Sequence, residues 1–135
     1  GGELRKKIEG RFCNHSANYD SSGRPYPYAD TGDPANSPGA RHPLVRTHPE
    51  TGRKCLFLGR RLDAWIVGLP VEESEELLNA IWNHATEDRF KWTHEWRNGD
   101  MVMWDNRCVM HRRDAFDPSL RRHMQRTQIV GTKPF

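Results

Sequence analysis

The sequence predicts a mainly β fold with one or two helices, and three observations lead there. Residues 122–130 read as a strand, on which side chains two apart share a face. Arg122, Met124, Arg126, Gln128 and Val130 fall on one face, and His123, Gln125, Thr127 and Ile129 on the other. Residues 42–58 read as a hairpin: a short extended run, the turn Pro49-Glu50-Thr51-Gly52, and a second run at Cys55-Leu56-Phe57-Leu58. Only between 71 and about 86 does the apolar spacing become helical, through Leu77, Leu78, Ile81, Trp82 and Ala85.

Taken in order, residues 1–10 have the character of the tail of a helix. Residues 13–41 are dominated by Asn, Ser, Gly, Pro and Asp, and neither period survives there. A loop of that length in a compact protein is usually a functional lid or is disordered. Strands are expected near 42–47 and 55–59. Pro70 and the acids Glu72, Glu73, Glu75 and Glu76 mark the start of a helix near 72–86. His84, near its end, reads as structural or solvated. Asn98-Gly99 is a turn signal. Further strands are expected near 100–105, 107–112 and 122–130, where Asp105-Asn106 favours a turn between the first two.

Composition narrows the function classes. At 135 residues the chain is at most one domain. A mean hydropathy of −0.92 implies a lean core, with much of its bulk from five Trp, five Phe and three Tyr. The net charge of +3 comes from 21 basic and 18 acidic residues, so no strongly basic surface points to nucleic acid. No apolar run approaches a membrane span or a signal peptide. Cys13, Cys55 and Cys108 have no metal-site spacing and read as reduced thiols of a cytoplasmic protein. Cys108 lies three residues from His111, which on a strand puts the two on opposite faces. A Cys–His nucleophile is therefore unsupported.

The run Trp104-Asp105-Asn106-Arg107-Cys108-Val109-Met110-His111, with Arg122 and Arg126 beyond it, is the most informative part of the chain. Two arginines four apart on a strand face stand roughly 13 Å apart, too far to grip one carboxylate together. They suit two anions, each held by its own planar fork. On spacing alone, an ordinary sheet histidine beside a solvated arginine face is the better account of the pattern.

With His42-Pro-Leu-Val-Arg-Thr-His-Pro-Glu-Thr-Gly-Arg-Lys54 and Trp96-Arg97-Asn98-Gly99-Asp100, these residues resemble, over roughly 40–135, the C-terminal part of the TauD/TfdA family of iron(II)/2-oxoglutarate-dependent dioxygenases. The resemblance implies a partial double-stranded β-helix, or jelly roll. Residues 1–135 would form the C-terminal part of one such domain, with 13–41 as a lid or disordered. It implies that His111 is the distal iron ligand, that Arg122 pairs with the far carboxylate of 2-oxoglutarate, and that Arg126 binds the substrate's anionic head. The cofactors implied are Fe(II) and the co-substrate 2-oxoglutarate. The partners are O₂ and a small sulfonate or carboxylate substrate, which the enzyme would hydroxylate.

Such a site needs two histidines and a carboxylate on one face of the metal. The family's His-x-Asp or His-x-Glu pair lies well upstream of the last histidine. Here the sole match is His48-Pro49-Glu50, which falls in the hairpin turn and belongs to a different family segment. The metal pair is therefore expected before Gly1, and the isolated chain is expected to bind iron poorly and not to turn over. The alternative is a catalytically incomplete relative, an anion-binding or oligomerising module. An incomplete barrel has open sheet edges, which invite pairing, so homo-oligomers are expected.

Overall fold

The computed structural model describes residues 2–20, 22–30, 32–59 and 62–135. Two α-helices and five short strands are laid out within the first 85 residues: α1 (Gly2–Ile8), β1 (Phe12–Ser16), β2 (Gly39–Pro43), β3 (Val45–Thr47), β4 (Lys54–Leu56), β5 (Trp65–Ile66) and α2 (Val71–Ala85). A single 3-10 turn follows at Asp88–Phe90. Helix α1 ends on buried Ile8, and Gly10 then adopts φ +75°, a left-handed reversal that glycine accepts without strain.

β1 is the centre of an antiparallel sheet in the order β2-β1-β5. Cys13 lies opposite His42 on one side and Ile66 on the other. The opening of the 13–41 stretch is thus a strand rather than an aperiodic loop. The apolar alternation that reveals strands is absent because β1 buries polar groups in hydrogen bonds. Asn14 Nδ2 donates to the Ser37 carbonyl at 2.8 Å, and the Ser16 and Ser37 hydroxyls meet at 2.6 Å. Asn18, fully buried, donates to the Asp30 carbonyl at 2.7 Å. These bonds fasten the connection between β1 and β2 to the sheet. Ser21 and Thr31 of that connection lie outside the described residues. At Gly39 a Cβ would stand 2.3 Å from the His15 carbonyl oxygen, so glycine is what lets β2 approach β1.

β3 and β4 form the expected hairpin, Val45 opposite Leu56 and Thr47 opposite Lys54. The strand expected at 42–47 is divided at Leu44. Residues before it pair with β1 and residues after it with β4. Leu44 itself is fully buried, and its amide bonds the Arg11 carbonyl while its carbonyl accepts from Phe57. Helix α2 lies within one residue of expectation at each end. Its Leu78 and Ile81 are fully buried with Ile8, Cys13, Leu44, Leu58, Ala64 and Ile66. Ser74, in its first turn, accepts the Ile66 amide at 2.8 Å and ties the helix to β5. Thr86 closes the far end, its hydroxyl donating to the Trp82 carbonyl. His84 has the structural place expected of it, 2.6 Å from Glu87 with its ring edge against Phe90.

The strands expected at 100–105, 107–112 and 122–130 are not formed. Among the described residues no strand follows β5. Met101, Met103, Ile129 and Val130 are each more than four-fifths exposed. An alternating pattern supplies a face, but a strand also needs a hydrogen-bonding neighbour at about 4.8 Å, and none lies beside these segments. Local turns do form: Gly99 takes φ +88°, and the Asp100 amide bonds the Arg97 carbonyl. The C-terminal end returns to the hairpin, where the Thr47 amide donates to the Phe135 carbonyl at 2.8 Å. The coarse expectation of a mostly β chain with two helices holds. The jelly roll is not formed within the described residues.

Candidate metal and co-substrate site

The hairpin turn sets the local geometry. Thr47 pairs with Lys54, the His48 amide donates to the Arg53 carbonyl, and Gly52 at φ +68° closes the reversal. Inside this turn the Glu50 and Thr51 amides both point at His48 Nδ1, each at 3.3 Å. Nδ1 is therefore an acceptor, so the ring hydrogen resides on Nε2. Nε2 donates to Asp105 Oδ2 at 3.0 Å. His48 is 7% exposed, and its ring is held on both sides.

Asp105 heads the segment that leads to His111. Its Oδ1 accepts the Arg107 amide at 2.8 Å, a local side-chain turn, and Arg107 Nε at 2.9 Å. Its Oδ2 accepts Arg107 Nη2 at 2.8 Å as well as His48. Arg107 Nη1 reaches on to Glu50 at 3.3 Å. The Arg107 guanidinium and amide, with help from His48, hold the Asp105 carboxyl well below the usual carboxylate range. The same carboxylate pushes Arg107 up. Cys55 of β4 donates its thiol to the Arg107 carbonyl at 3.5 Å, and burial pushes that thiol up. Trp104 donates its indole N–H to Asn106 at 2.8 Å, and its ring centroid lies 4.7 Å from that of His111.

Donor atoms of His48, Asp105 and Cys108 all lie within 4.8 Å of one another. Arg107 already occupies both oxygens of the carboxylate, and a cation placed there would face a guanidinium. The trio is accounted for as a hydrogen-bonded junction. His48 is likewise engaged by Asp105 and the turn amides, and Glu50 reaches Arg107.

His111 is exposed, and no hydrogen bond to it exists among the described residues, so its imidazole nitrogens are open to a ligand. Arg122 and Arg126 are exposed and have no acid partner among the described residues. Arg122 rests 5.6 Å over the Phe116 ring. Without a strand at 122–130 there is no common face for the arginines. The cleft of about 200 Å³ nearby is lined instead by His15, Phe57, Gly59, Cys108 and Met110, among others. One feature escaped sequence reading altogether. Arg46 is 2% exposed, its guanidinium 5.0 Å above the Phe57 ring, with Nε and Nη2 lacking acceptors. Its alternation with Val45 and Thr47 on β3 was the available signal, but an arginine at a core-facing position is read by default as solvated.

The chain matches the family described as taurine catabolism dioxygenase TauD, TfdA family, over residues 3–128, and it belongs to that family. The match begins well before residue 40, so β1 and the connection after it are part of the family's domain. An alpha-ketoglutarate-dependent 2,4-dichlorophenoxyacetate dioxygenase of Cupriavidus pinatubonensis is 48% identical over 93 residues, 69% of this chain and 32% of that protein. An (S)-phenoxypropionate/alpha-ketoglutarate-dioxygenase of Sphingobium herbicidovorans is 37% identical over 136 residues, 96% of this chain and 47% of that protein. The crystal structure of AAD-2 in complex with Mn(II) and N-oxalylglycine superposes with a TM-score of 0.81 at 35% identity, covering 99% of this chain and 53% of that one. The chain thus spans between about a third and about half of the length of these relatives.

Proposed function

We propose that this chain is the C-terminal part of an iron(II)/2-oxoglutarate-dependent dioxygenase domain that hydroxylates a small organic anion. The observation that carries the reading is the set Trp104-Asp-Asn-Arg107, His111, Arg122 and Arg126 in a chain belonging to this family, with the three site residues making no hydrogen bond or ion pair among those described and only ring contacts to Trp104 and Phe116. His111 supplies one of the three protein ligands such a metal needs. A His-x-Asp pair from an upstream segment supplies the other two. The iron, when bound with 2-oxoglutarate and O₂, supplies the oxidising power for C–H hydroxylation.

The chain's own residues do the placing. Arg122 forms a bidentate fork with the distal carboxylate of 2-oxoglutarate and fixes which end faces the metal. Arg126, four residues further on, holds the substrate's anionic head and sets the distance from head to reacting carbon. A carboxylate head is favoured over a sulfonate, because two of the relatives above are named for aryloxy acids. The N-oxalylglycine in AAD-2 is 2-oxoglutarate with one methylene replaced by NH, which supports the same co-substrate here. Assembly into homo-oligomers is part of the proposal, since the apolar side chains of Met101, Met103, Ile129 and Val130 lack cover.

The experiment is anaerobic titration of the full-length protein with Fe(II) and 2-oxoglutarate, followed by a succinate assay in air. A charge-transfer band and succinate release that both vanish in His111→Ala would bear the reading out. Succinate formation by the 135-residue chain alone would refute the division of the metal site between two segments.

A further inference from the structure

We infer that His48, Asp105 and Arg107 form a brace that positions His111 for the metal, an inference that rests on the proposed role of His111. None of the three touches the imidazole. The hairpin turn orients the His48 ring through two backbone amides, leaving Nε2–H for Asp105. Asp105 receives that bond and the Arg107 fork together. Arg107 returns to the turn through Glu50, so the loop 105–108 is fastened to the β3–β4 hairpin at both of its charged side chains.

The Asp105 carbonyl also accepts the Cys108 and Val109 amides at 3.1 Å, which fixes the backbone one turn before His111. Asn106 holds the Trp104 indole, and that ring lies against His111. Each residue between 104 and 108 is thereby tied to another part of the loop or to the hairpin. Among the described residues the segment joins no strand ladder, so these bonds take over the task that a sheet ladder would otherwise perform. A metal ligand whose approach is left loose binds more weakly, because ordering it must be driven by the metal itself. Outer partners of metal ligands commonly carry about 10–100-fold in affinity.

The test uses the full-length protein, with Asp105→Asn, His48→Ala, and the pair Arg107→Ala and Arg107→Lys. Two quantities are read: amide hydrogen exchange at 106–111 in metal-free protein, and Fe(II) affinity by anaerobic titration. Asp105→Asn and His48→Ala should speed exchange at those amides while leaving β1 and α2 at the native rate, and weaken Fe(II) by about 10–100-fold. Arg107→Lys should recover part of both losses relative to Arg107→Ala. Native exchange in Asp105→Asn, or fast exchange with native Fe(II) affinity, overturns the brace and leaves the assignment of His111 standing. Fe(II) affinity unchanged in His111→Ala overturns the assignment and the brace together.

Discussion

At the residue scale the two arginines should fail differently. Arg122→Ala in the full-length enzyme should weaken 2-oxoglutarate for every primary substrate alike, because the fork it loses belongs to the co-substrate. Arg126→Ala should leave 2-oxoglutarate nearly intact and raise the substrate requirement. Losing a hydrogen bond between charged groups costs about 1.5–3 kcal/mol, roughly one to two decades. Lysine at either position should restore only part, since a point charge forms no planar fork. Titrating the metal–2-oxoglutarate band in both variants checks this, and equal losses would sink the division of labour. Asp105 gives a pH prediction. Its folded pKa lies below the ordinary 3.8, chiefly through the Arg107 side chain. Its contribution to stability is therefore complete above 3.8 and is lost only as pH falls through the depressed value. Carbon NMR should find no Asp105 titration between about pH 5 and pH 3, and Arg107→Ala should bring the midpoint back toward the ordinary range. Asp20 behaves alike on a smaller scale: Ser22 and the Arg24 amide hold it to about 2, and Ser22→Ala should raise it.

At the element scale, helix α2 is one part of the fold that pattern alone places correctly. Its apolar positions recur at helical spacing, and Leu78 and Ile81 are fully buried. Leu78→Ala should cost about 2–5 kcal/mol by chemical denaturation, the range for large-to-small changes in a close-packed core. β1 is the opposite case. Its Cys-Asn-His-Ser side chains carry no apolar alternation, yet Cys13, Asn14 and Ser16 are all buried. The places of Asn14 and Ser16 depend on Ser37, 23 and 21 positions away in the chain. Gly39→Val should therefore destabilise strongly although position 39 is an exposed strand end, because its Cβ would meet the His15 carbonyl at 2.3 Å. A melting temperature equal to that of the native protein would show that β2 can move aside.

At the scale of the whole molecule, the chain spans between about a third and about half of each relative described above, and its C-terminal 45 residues hold no strand. The 135-residue chain alone should yield no succinate above a metal-only control. Light scattering should show dimers or larger species, and a clean monomeric mass would contradict the proposed self-association. Sequence alone determined helix α2, the β3–β4 hairpin, the Asn98-Gly99 turn and the family, because each of these is written in residues close together in the chain. The family resemblance also made His111, Arg122 and Arg126 the candidate site residues. Tertiary structure decided the rest. It split the strand at Leu44, buried the polar β1, and seated Arg46 against Phe57. It joined His48 to Asp105 across 57 residues. It also left residues 100–130 without a strand among the described residues. The physical reason is common to all of these: a strand, a buried polar group or an ion pair is stable only with its partner, and a partner distant in sequence leaves no local pattern to read.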